Sequence, residues 1–264
     1  MEKERVALTI AGSDSGGGAG VQIDLKTFNE IGVFGASVIT SLTAQNTLGV
    51  QEVYYISPDF VKKQLESVFS DLNVHFSKTG MLATLEIVEV VIEYIGKMLK
   101  KDSLKGLVVD PVMKAKGGEK LLKEEAISAL RSKLLPLSLV VTPNIPEAEL
   151  LTGMKIKTEK DMEKSALLIH KMGPRYVVIK GGHLEGEYAT DIIFDGYESY
   201  KLRSKKYFKD SVHGTGCCFS SAITAFLTKG ETPINSIRKA KKFVSNAIKN
   251  GVFIGNGFKV LKTY

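Results

Sequence analysis

Apolar residues recur along the chain in two alternating patterns. Short apolar runs, typical of strands buried on both faces, alternate with segments whose apolar residues repeat every three or four positions, as in helices. The segment that begins at Pro58 is an example of the second pattern, because Val61, Leu65, Val68 and Phe69 fall on one helical face. Repeated strand–helix units predict an α/β fold with a mostly parallel central sheet and helices on both of its faces.

The same patterns give approximate bounds for the elements. The predicted strands are short and rich in branched apolar residues: Val6–Ile10, Ala36–Thr43, Val50–Ile56, Val74–Thr79, Leu107–Val109, Leu139–Thr142, Tyr176–Ile179, Thr190–Phe194 and Glu198–Leu202. The predicted helices have an apolar face: Val21–Ile31, the helix from Pro58, Leu85–Leu99, Glu124–Leu134, Ile145–Leu151, Asp161–Lys171, 215–229 and 233–250. Because no linker, repeat or low-complexity tract interrupts this alternation, we expect a single domain over residues 1–264.

Composition narrows the class of protein. The chain is 44% hydrophobic and 25% charged, which excludes collagen-like and disordered proteins, and its long uncharged run, Ile31–Gln51, is too polar to cross a membrane. Cys217 and Cys218 are neighbours and cannot close a disulfide of ordinary geometry. The apolar stretch Val6–Ala11 is too short for the core of a signal peptide. We therefore expect a cytoplasmic protein without a membrane partner.

Positive charge is concentrated at one end of the chain. Residues 201–264 hold thirteen lysines or arginines and two acids, a net charge of +11, whereas residues 1–200 carry −4. Such a field favours a polyanionic ligand, but a solvated lysine-rich surface explains it equally well. Arginine is scarce in this segment and no helix-turn-helix pattern occurs, so we expect no nucleic-acid partner.

Polar and glycine-rich segments follow several predicted strands, where ligands bind in parallel sheets. Residues 12–20 contain five glycines among nine residues and are expected to form a loop with N–H groups free for a ligand, although they match neither a Walker A nor a dinucleotide motif. Gln45 and Asn46 come after a later strand. A carboxamide matches the polar edge of a nitrogen heterocycle, but such a pair is on its own more often a capped turn.

Charged residues follow three further strands. Asp110, which precedes a proline, either holds Mg²⁺ or simply caps its strand. Asn144 is a candidate helix cap that places Glu147 in the first helical turn, where the carboxylate either faces hydrated Mg²⁺ or complements the helix dipole. Lys180 precedes two glycines, so a phosphate can approach it closely.

The segment His213–Phe219 opens a helix with Gly-Thr-Gly-Cys-Cys. The N–H groups of residues 214–217 are expected to point together and form an anion site at the helix N-terminus, and a thiol there is expected to have a lowered pKa. An anion site beside a potential base suits phosphoryl transfer to an alcohol. The alternatives are a tight turn for the glycines, core packing for the cysteines and a structural role for His213.

Seven segments in this order resemble one known family. They are Ala-Gly-Ser-Asp-Ser-Gly-Gly-Gly-Ala-Gly (11–20), Thr-Ala-Gln-Asn-Thr (43–47), Gly-Met-Leu (80–82), Asp-Pro-Val-Met (110–113), Thr-Pro-Asn-Ile-Pro-Glu-Ala (142–148), Lys-Gly-Gly-His (180–183) and His-Gly-Thr-Gly-Cys (213–217). The chain resembles, from about Val6 to Lys249, the hydroxymethylpyrimidine/phosphomethylpyrimidine kinases of thiamine biosynthesis, which have a ribokinase-like fold. The resemblance implies phosphorylation of the pyrimidine and then of its monophosphate by Mg-ATP, and a homodimer.

The resemblance also assigns residues to roles. The matching positions are Gly12, Asp24, Gln45, Met81 and Val112 for the pyrimidine, Asn144 and Lys180 for ATP, Asp110 and Glu147 for Mg²⁺, and Gly214, Thr215, Gly216 and Cys217 for catalysis. Cys217 stands where related sugar and nucleoside kinases have an aspartate base, and two roles stay open for it: a general base or a positioned contact. The glycines at 16–20 are expected to act as a lid that makes room for the second phosphate.

Two features leave alternatives open. Some relatives with the Gly-Thr-Gly-Cys motif are pyridoxal kinases, and the spacing of the motifs does not separate the two activities, although Thr-Ala-Gln-Asn-Thr and Gly-Met-Leu favour the pyrimidine enzyme. The C-terminal Gly255–Lys259 matches the family's Gly-His-Gly ending only loosely, and Cys218 stands where the family often has threonine.

Overall fold

The computed structural model describes residues 4–113, 124–208 and 212–263. Its nine strands are β1 Val6–Asp14, β2 Phe34–Asn46, β3 Gly49–Tyr55, β4 Val74–Thr79, β5 Gly106–Val109, β6 Val140–Val141, β7 Tyr176–Ile179, β8 Tyr188–Phe194 and β9 Ser199–Lys205. They form one sheet in the order β3-β2-β1-β4-β5-β6-β7-β8-β9. The six neighbouring strands β2, β1, β4, β5, β6 and β7 run parallel, whereas β3 pairs antiparallel with β2, and β8 pairs antiparallel with β7 and β9. The predicted mostly parallel sheet is confirmed.

Helices cover both faces of this sheet, as predicted. They are α1 Gly20–Ile31, α2 Pro58–Asp71, α3 Leu85–Lys100, α4 Glu124–Ala129, α5 Ile145–Thr152, α6 Glu159–His170, α7 Thr215–Thr228 and α8 Pro233–Lys249. Apolar side chains of α1, α7 and α8 share one core cluster, and those of α2 to α6 share the other. The central strands explain why the apolar runs were continuous: on β5, Leu107 and Val109 join the second cluster while Val108 joins the first.

The two amino-terminal strands are longer than predicted. After an irregularity at Gly12, β1 continues to Asp14, with Ser13 opposite Leu42 and Asp14 opposite Thr43. The polar residues 12–14 and 44–46 therefore belong to the sheet, because backbone pairing does not require apolar side chains. Gln45, which we expected after its strand, lies inside β2.

The helix predicted over Glu124–Leu134 is regular only as far as Ala129. A single π-helical turn, Leu130–Leu134, and a 3₁₀ turn, Leu135–Leu137, follow it. Pro136 has no N–H to donate to the preceding turn, so a regular α-helix cannot continue through it.

The segment after α8 returns to the amino-terminal part of the sheet. Val252 and Val260 pair with each other, and Val260 also bridges to His213. The N–H groups of Gly257 and Phe258 donate to the hydroxyl and carbonyl oxygens of Thr47, at 3.2 and 2.8 Å. This tail therefore reaches the turn between β2 and β3.

A buried ion pair joins the sheet to the helices of one face. The Lys78 ammonium on β4 lies 3.0 Å from Asp24 Oδ2 on α1, and both side chains have no solvent exposure. Thr9 and Ser221 donate their hydroxyl hydrogens to the same carboxylate at 2.6 and 2.5 Å. The carboxylate of Asp24 thus connects β1, β4 and α7 to α1.

We predict that Asp24→Asn lowers the free energy of unfolding by about 3–5 kcal/mol, because it leaves the Lys78 ammonium buried without a counter-charge. Urea unfolding measures this change. Glu93→Gln is the matched control, since Glu93 pairs with Lys97 on the exposed side of α3, and its unfolding midpoint should stay close to that of the wild type. Equal midpoints for the two variants would contradict the prediction.

Candidate active site

A cavity of about 730 Å³ lies beyond the carboxyl ends of the parallel strands, against the N-terminus of α7. Its lining includes Gly12, Gln45, Met81, Asp110, Val112, Asn144, Glu147, Lys180 and residues 214–217. The structure therefore brings these sequence-predicted residues together at one place. Strand order explains this, because residues far apart in sequence end neighbouring strands on the same edge of the sheet.

Asp24 is the exception, and its expected place in the pyrimidine pocket is wrong. It does not line the cavity, and it has no solvent exposure. Its carboxylate is already occupied by Lys78, Thr9 and Ser221, so it supports the floor of the site from below.

The start of α7 forms one end of the cavity. Gly214 caps the helix with a φ of 82°, and a Cβ there would lie 1.9 Å from the Gly18 carbonyl oxygen. Both constraints require glycine. The first helical bond runs from the Cys218 N–H to the Gly214 carbonyl, so the N–H groups before Cys218 precede the helical ladder at the positive end of the dipole.

Charged side chains flank this helix start. The Lys180 ammonium donates to Asp110 Oδ1 at 3.0 Å, while Asp110 Oδ2 is buried and has no hydrogen-bond partner among the described residues. A Cβ on Gly216 would lie 3.2 Å from the Lys180 ammonium and 3.4 Å from Asp110 Oδ2. The backbone at the helix start, one cation and one carboxylate therefore meet at the same point.

Asn144 and Glu147 form a reciprocal cap at the start of α5, which confirms the predicted helix cap. The Glu147 N–H donates to Asn144 Oδ1 at 2.9 Å, and the Asn144 N–H donates to Glu147 Oε2 at 2.8 Å. Burial raises the pKa of Glu147 to about 7, the charge of Lys180 opposes this, and Asp110 adds to it.

The expected lowering of the Cys217 pKa is wrong. Burial raises the pKa of this thiol to about 12, although the nearby Lys78 ammonium lowers it. Cys218 is fully buried, accepts a hydrogen bond from Thr27 at 3.4 Å, and burial raises its pKa to about 12 as well. Desolvation thus outweighs the attraction of the Lys78 ammonium, and both residues favour the neutral thiol at physiological pH.

The glycine-rich loop is folded around the carboxylate of Asp14. The N–H of Gly16 donates to Oδ1 at 2.8 Å, and those of Gly18 and Ala19 donate to Oδ2 at 3.1 and 2.8 Å. The expectation that these groups stay free for a ligand is therefore wrong. A lid movement of this loop would have to break these three hydrogen bonds.

Sequence reasoning missed several residues of this region. Asp14, Thr43 and Phe258 also line the cavity, and Lys78 lies beneath it. An acid within a glycine run is a turn-forming signal that could have pointed to Asp14. A lysine inside a buried strand pattern could have pointed to Lys78, whereas nothing in the periodicity places Phe258 near the site.

A family model described as phosphomethylpyrimidine kinase matches residues 14–262. The chain belongs to this family. It is 43% identical to the hydroxymethylpyrimidine/phosphomethylpyrimidine kinase of Aquifex aeolicus over 97% of this chain and 99% of that protein. It is also 46% identical to a thiamine biosynthesis bifunctional protein of Geobacter sulfurreducens. That match covers 95% of this chain but only 50% of the relative, which is longer.

Solved structures agree with the expected fold and enzyme class. This kinase aligns with a phosphomethylpyrimidine kinase of Clostridium difficile at a TM-score of 0.81 and 44% identity, covering 93% of this chain and 100% of that one. It aligns with an ADP complex of Bacillus subtilis pyridoxal kinase at a TM-score of 0.89 and 39% identity, covering 99% and 98%. The ribokinase-like fold is thus confirmed. Within the residues that the structure describes, no helix is long and apolar enough to span a membrane.

We predict that iodoacetamide modifies Cys217 of this kinase at least ~10²-fold more slowly at pH 8 than it modifies a free cysteine, because the thiolate is scarce. The rate should rise about tenfold per pH unit up to pH 10, since the pKa is about 12. Mass spectrometry of the labelled protein measures both. Cys217→Ala is the control, because its remaining cysteine is buried. A rate that levels off near pH 8 would contradict the raised pKa.

Proposed function

We propose that this kinase transfers the terminal phosphoryl group of ATP to the hydroxymethyl group of 4-amino-5-hydroxymethyl-2-methylpyrimidine and then to the monophosphate. The observation that carries this proposal is one cavity lined both by a carboxamide, Gln45, and by the start of α7 together with Lys180. The names of the relatives from Aquifex aeolicus and Geobacter sulfurreducens support the substrate and the role in thiamine biosynthesis.

The side chains near Gln45 leave space beside Gly12. A Cβ on Gly12 would lie 2.7 Å from Ser41 Oγ and 2.8 Å from the Met81 methyl group, so a larger residue there would have to displace these side chains. Met81 and Val112 offer apolar surface there, and the amide of Gln45 offers a donor and an acceptor. Together they suit an aromatic ring with one polar edge.

Where the start of α7 lines the cavity, this chain supplies positive charge and N–H donors for phosphate. The N–H groups of residues 214–217 bind the transferring phosphoryl group at the positive end of the helix, and Lys180 and Asn144 bind the remainder of ATP. The Lys180 pKa lies above its ordinary value, because the charges of Asp110 and Glu147 outweigh the effect of burial. Lys180 is therefore a permanent cation at this point.

Mg²⁺ is part of the proposal, held by Asp110 and Glu147. The described residues contain no cluster of three or more metal-ligating side chains. Magnesium bound with a nucleotide needs only one or two carboxylates besides water and phosphate, and the unpartnered, buried Asp110 Oδ2 fits that requirement. When bound, the ion neutralises charge on the phosphates.

A neutral Cys217 thiol favours the positioned contact over the general base. We expect Cys217→Ala to lose about 10²-fold in kcat through misplacement of the reacting groups, and Cys217→Ser to stay within about tenfold of the wild type, since its hydroxyl occupies the same place. Cys218→Ala is the control and should lose much less, because the neighbouring side chain lies about 100° further around the helix. A serine variant as poor as the alanine variant would restore the base role.

Pyridoxal is the second candidate acceptor, favoured by the TM-score of 0.89 to the Bacillus subtilis pyridoxal kinase. We expect ATP consumption with the hydroxymethylpyrimidine and with its monophosphate, at a kcat/KM about tenfold or more above that for pyridoxal. Coupled ADP release, measured side by side for the three acceptors, decides between them. Turnover of pyridoxal alone would overturn the proposal and leave the second candidate.

The homodimer and the cytoplasmic location remain proposals. The two edge strands of the sheet differ in character, which supports pairing of two copies at β3. Tyr54 and Tyr55 on β3 are 68% and 53% exposed. The other edge strand, β9, carries the positive charges of Lys201, Arg203 and Lys205, which disfavour pairing with a second copy there. Two copies of β3 facing each other would cover the exposed tyrosines.

A further inference from the structure

The amide of Gln45 is held at both ends by side chains of this protein. One end lies 3.1 Å from Thr43 Oγ1, and the other lies 3.0 Å from His213 Nε2. The same hydroxyl is 2.9 Å from the Ser13 carbonyl oxygen, and the same imidazole nitrogen is 3.2 Å from Asp14 Oδ2. Four contacts therefore form a chain from Ser13 through Thr43, Gln45 and His213 to Asp14.

Counting hydrogens along this chain fixes the orientation of the amide. The carbonyl of Ser13 can only accept, so the single hydroxyl hydrogen of Thr43 goes to it, and Thr43 presents a lone pair to Gln45. The structure places the amide oxygen beside Thr43 and the amide nitrogen beside His213. A half-turn of the amide group exchanges these two atoms, and the count of hydrogens favours the exchanged orientation, in which the nitrogen donates to Thr43 and the oxygen accepts from His213.

The other end of the chain gives the same orientation independently. Three backbone N–H groups, those of Gly16, Gly18 and Ala19, donate to the carboxylate of Asp14, so Asp14 is an ionised acceptor whatever His213 does. His213 Nε2 lies 3.2 Å from this carboxylate and therefore carries a hydrogen towards it. That N–H also faces the Gln45 amide, which must therefore present its oxygen.

The opposite orientation sets acceptors against each other. With the amide oxygen beside Thr43, the hydroxyl hydrogen is drawn away from the Ser13 carbonyl, which then faces a lone pair at 2.9 Å. With the amide nitrogen beside His213, Nε2 must accept and also faces the carboxylate of Asp14 at 3.2 Å. In the first orientation the single hydrogen of His213 Nε2 is shared between Gln45 and Asp14, and no two acceptors face each other without a hydrogen between them. The opposite orientation sets acceptors against each other at two contacts, at a cost that falls on partly buried groups.

The main chain of Gln45 is equally fixed. Its N–H donates to Ser15 Oγ at 2.8 Å, and its carbonyl accepts from the same hydroxyl at 2.7 Å. The register of β2 against β3 shifts between Ala44 and Gln45, a bulge of the kind that redirects a side chain. The side chain of Gln45 therefore starts from a fixed backbone, and its contacts with Thr43 and His213 set the orientation of the amide.

We propose that Thr43, His213 and Asp14 are positioning residues that lock the Gln45 amide with its oxygen towards His213 and its nitrogen towards Thr43. This inference rests on the proposed function, in which Gln45 pairs with the ring. The remaining lone pair of the oxygen accepts from the exocyclic amino group, and the second N–H donates to the adjacent ring nitrogen. The lock therefore selects a 4-aminopyrimidine edge over its reversed 4-oxo counterpart and sets which way round the ring binds.

Calorimetric binding of two ligands tests the lock: 4-amino-5-hydroxymethyl-2-methylpyrimidine and its 4-oxo analogue, whose ring N–H and carbonyl reverse the donor and acceptor. We expect the wild type to prefer the amino compound by about tenfold or more in Kd. Thr43→Val and His213→Phe, which keep the shape but remove a lock, should each reduce that ratio about fivefold or more. Thr43→Ser, which keeps the hydroxyl, should restore it.

Circular dichroism melting confirms that each variant is folded, and Gln45→Leu serves as the control without any amide. A ratio that stays at the wild-type value in both Thr43→Val and His213→Phe overturns the lock, as does a loss of the ratio in Thr43→Ser. ATP turnover on the amino compound, measured separately, reports on the proposed function: a wild type that binds with the expected ratio but does not phosphorylate refutes the function and supports the lock. A wild type that binds neither compound overturns both.

Discussion

The organisation of the site depends on one buried cation. The Lys78 ammonium lies in a part of the core that has no access to solvent, and it is tolerated there because Asp24 compensates it at 3.0 Å. Burial alone would lower the pKa of Lys78, but the charges of Asp24 and Asp110 and the hydrogen bond to Asp24 outweigh it, and its pKa lies above the ordinary value. A fixed positive charge thus underlies both the helix start at α7 and the strand end that carries Asp110.

Periodicity predicted the central part of the fold because the physics there is local to each element. Successive side chains of β5, β6 and β7 point alternately into the two apolar clusters. Their continuous apolar runs therefore indicated burial on both faces of the sheet. No hydrophobic pattern in the sequence indicated the extension of β1 and β2 or the return of the tail to Thr47. They depend on backbone pairing and on hydrogen bonds between distant segments, which place no demand on side-chain polarity.

The sequence likewise predicted which residues meet at the site better than it predicted their burial and protonation. Position after a strand was enough to bring Asp110 and Lys180 into one cavity, whereas Gln45 reaches the same cavity from inside β2. It could not reveal that Asp24 lies below the floor or that the Cys217 thiol is neutral, because desolvation depends on everything packed around a group. The glycine loop illustrates the same point, since its N–H groups are used by a carboxylate from within the loop itself.

The close approach of the loop and α7 has a consequence for the order in which the protein becomes competent. Asp14 and His213 are 199 positions apart in the chain, and Gly18 touches Gly214 backbone to backbone beside them. Contacts of such separation carry a large loop-closure entropy and tend to form late in folding. On the ribosome, residues 12–20 therefore wait for almost the whole polypeptide before their partner emerges, so this corner of the cavity is completed only near the end of synthesis.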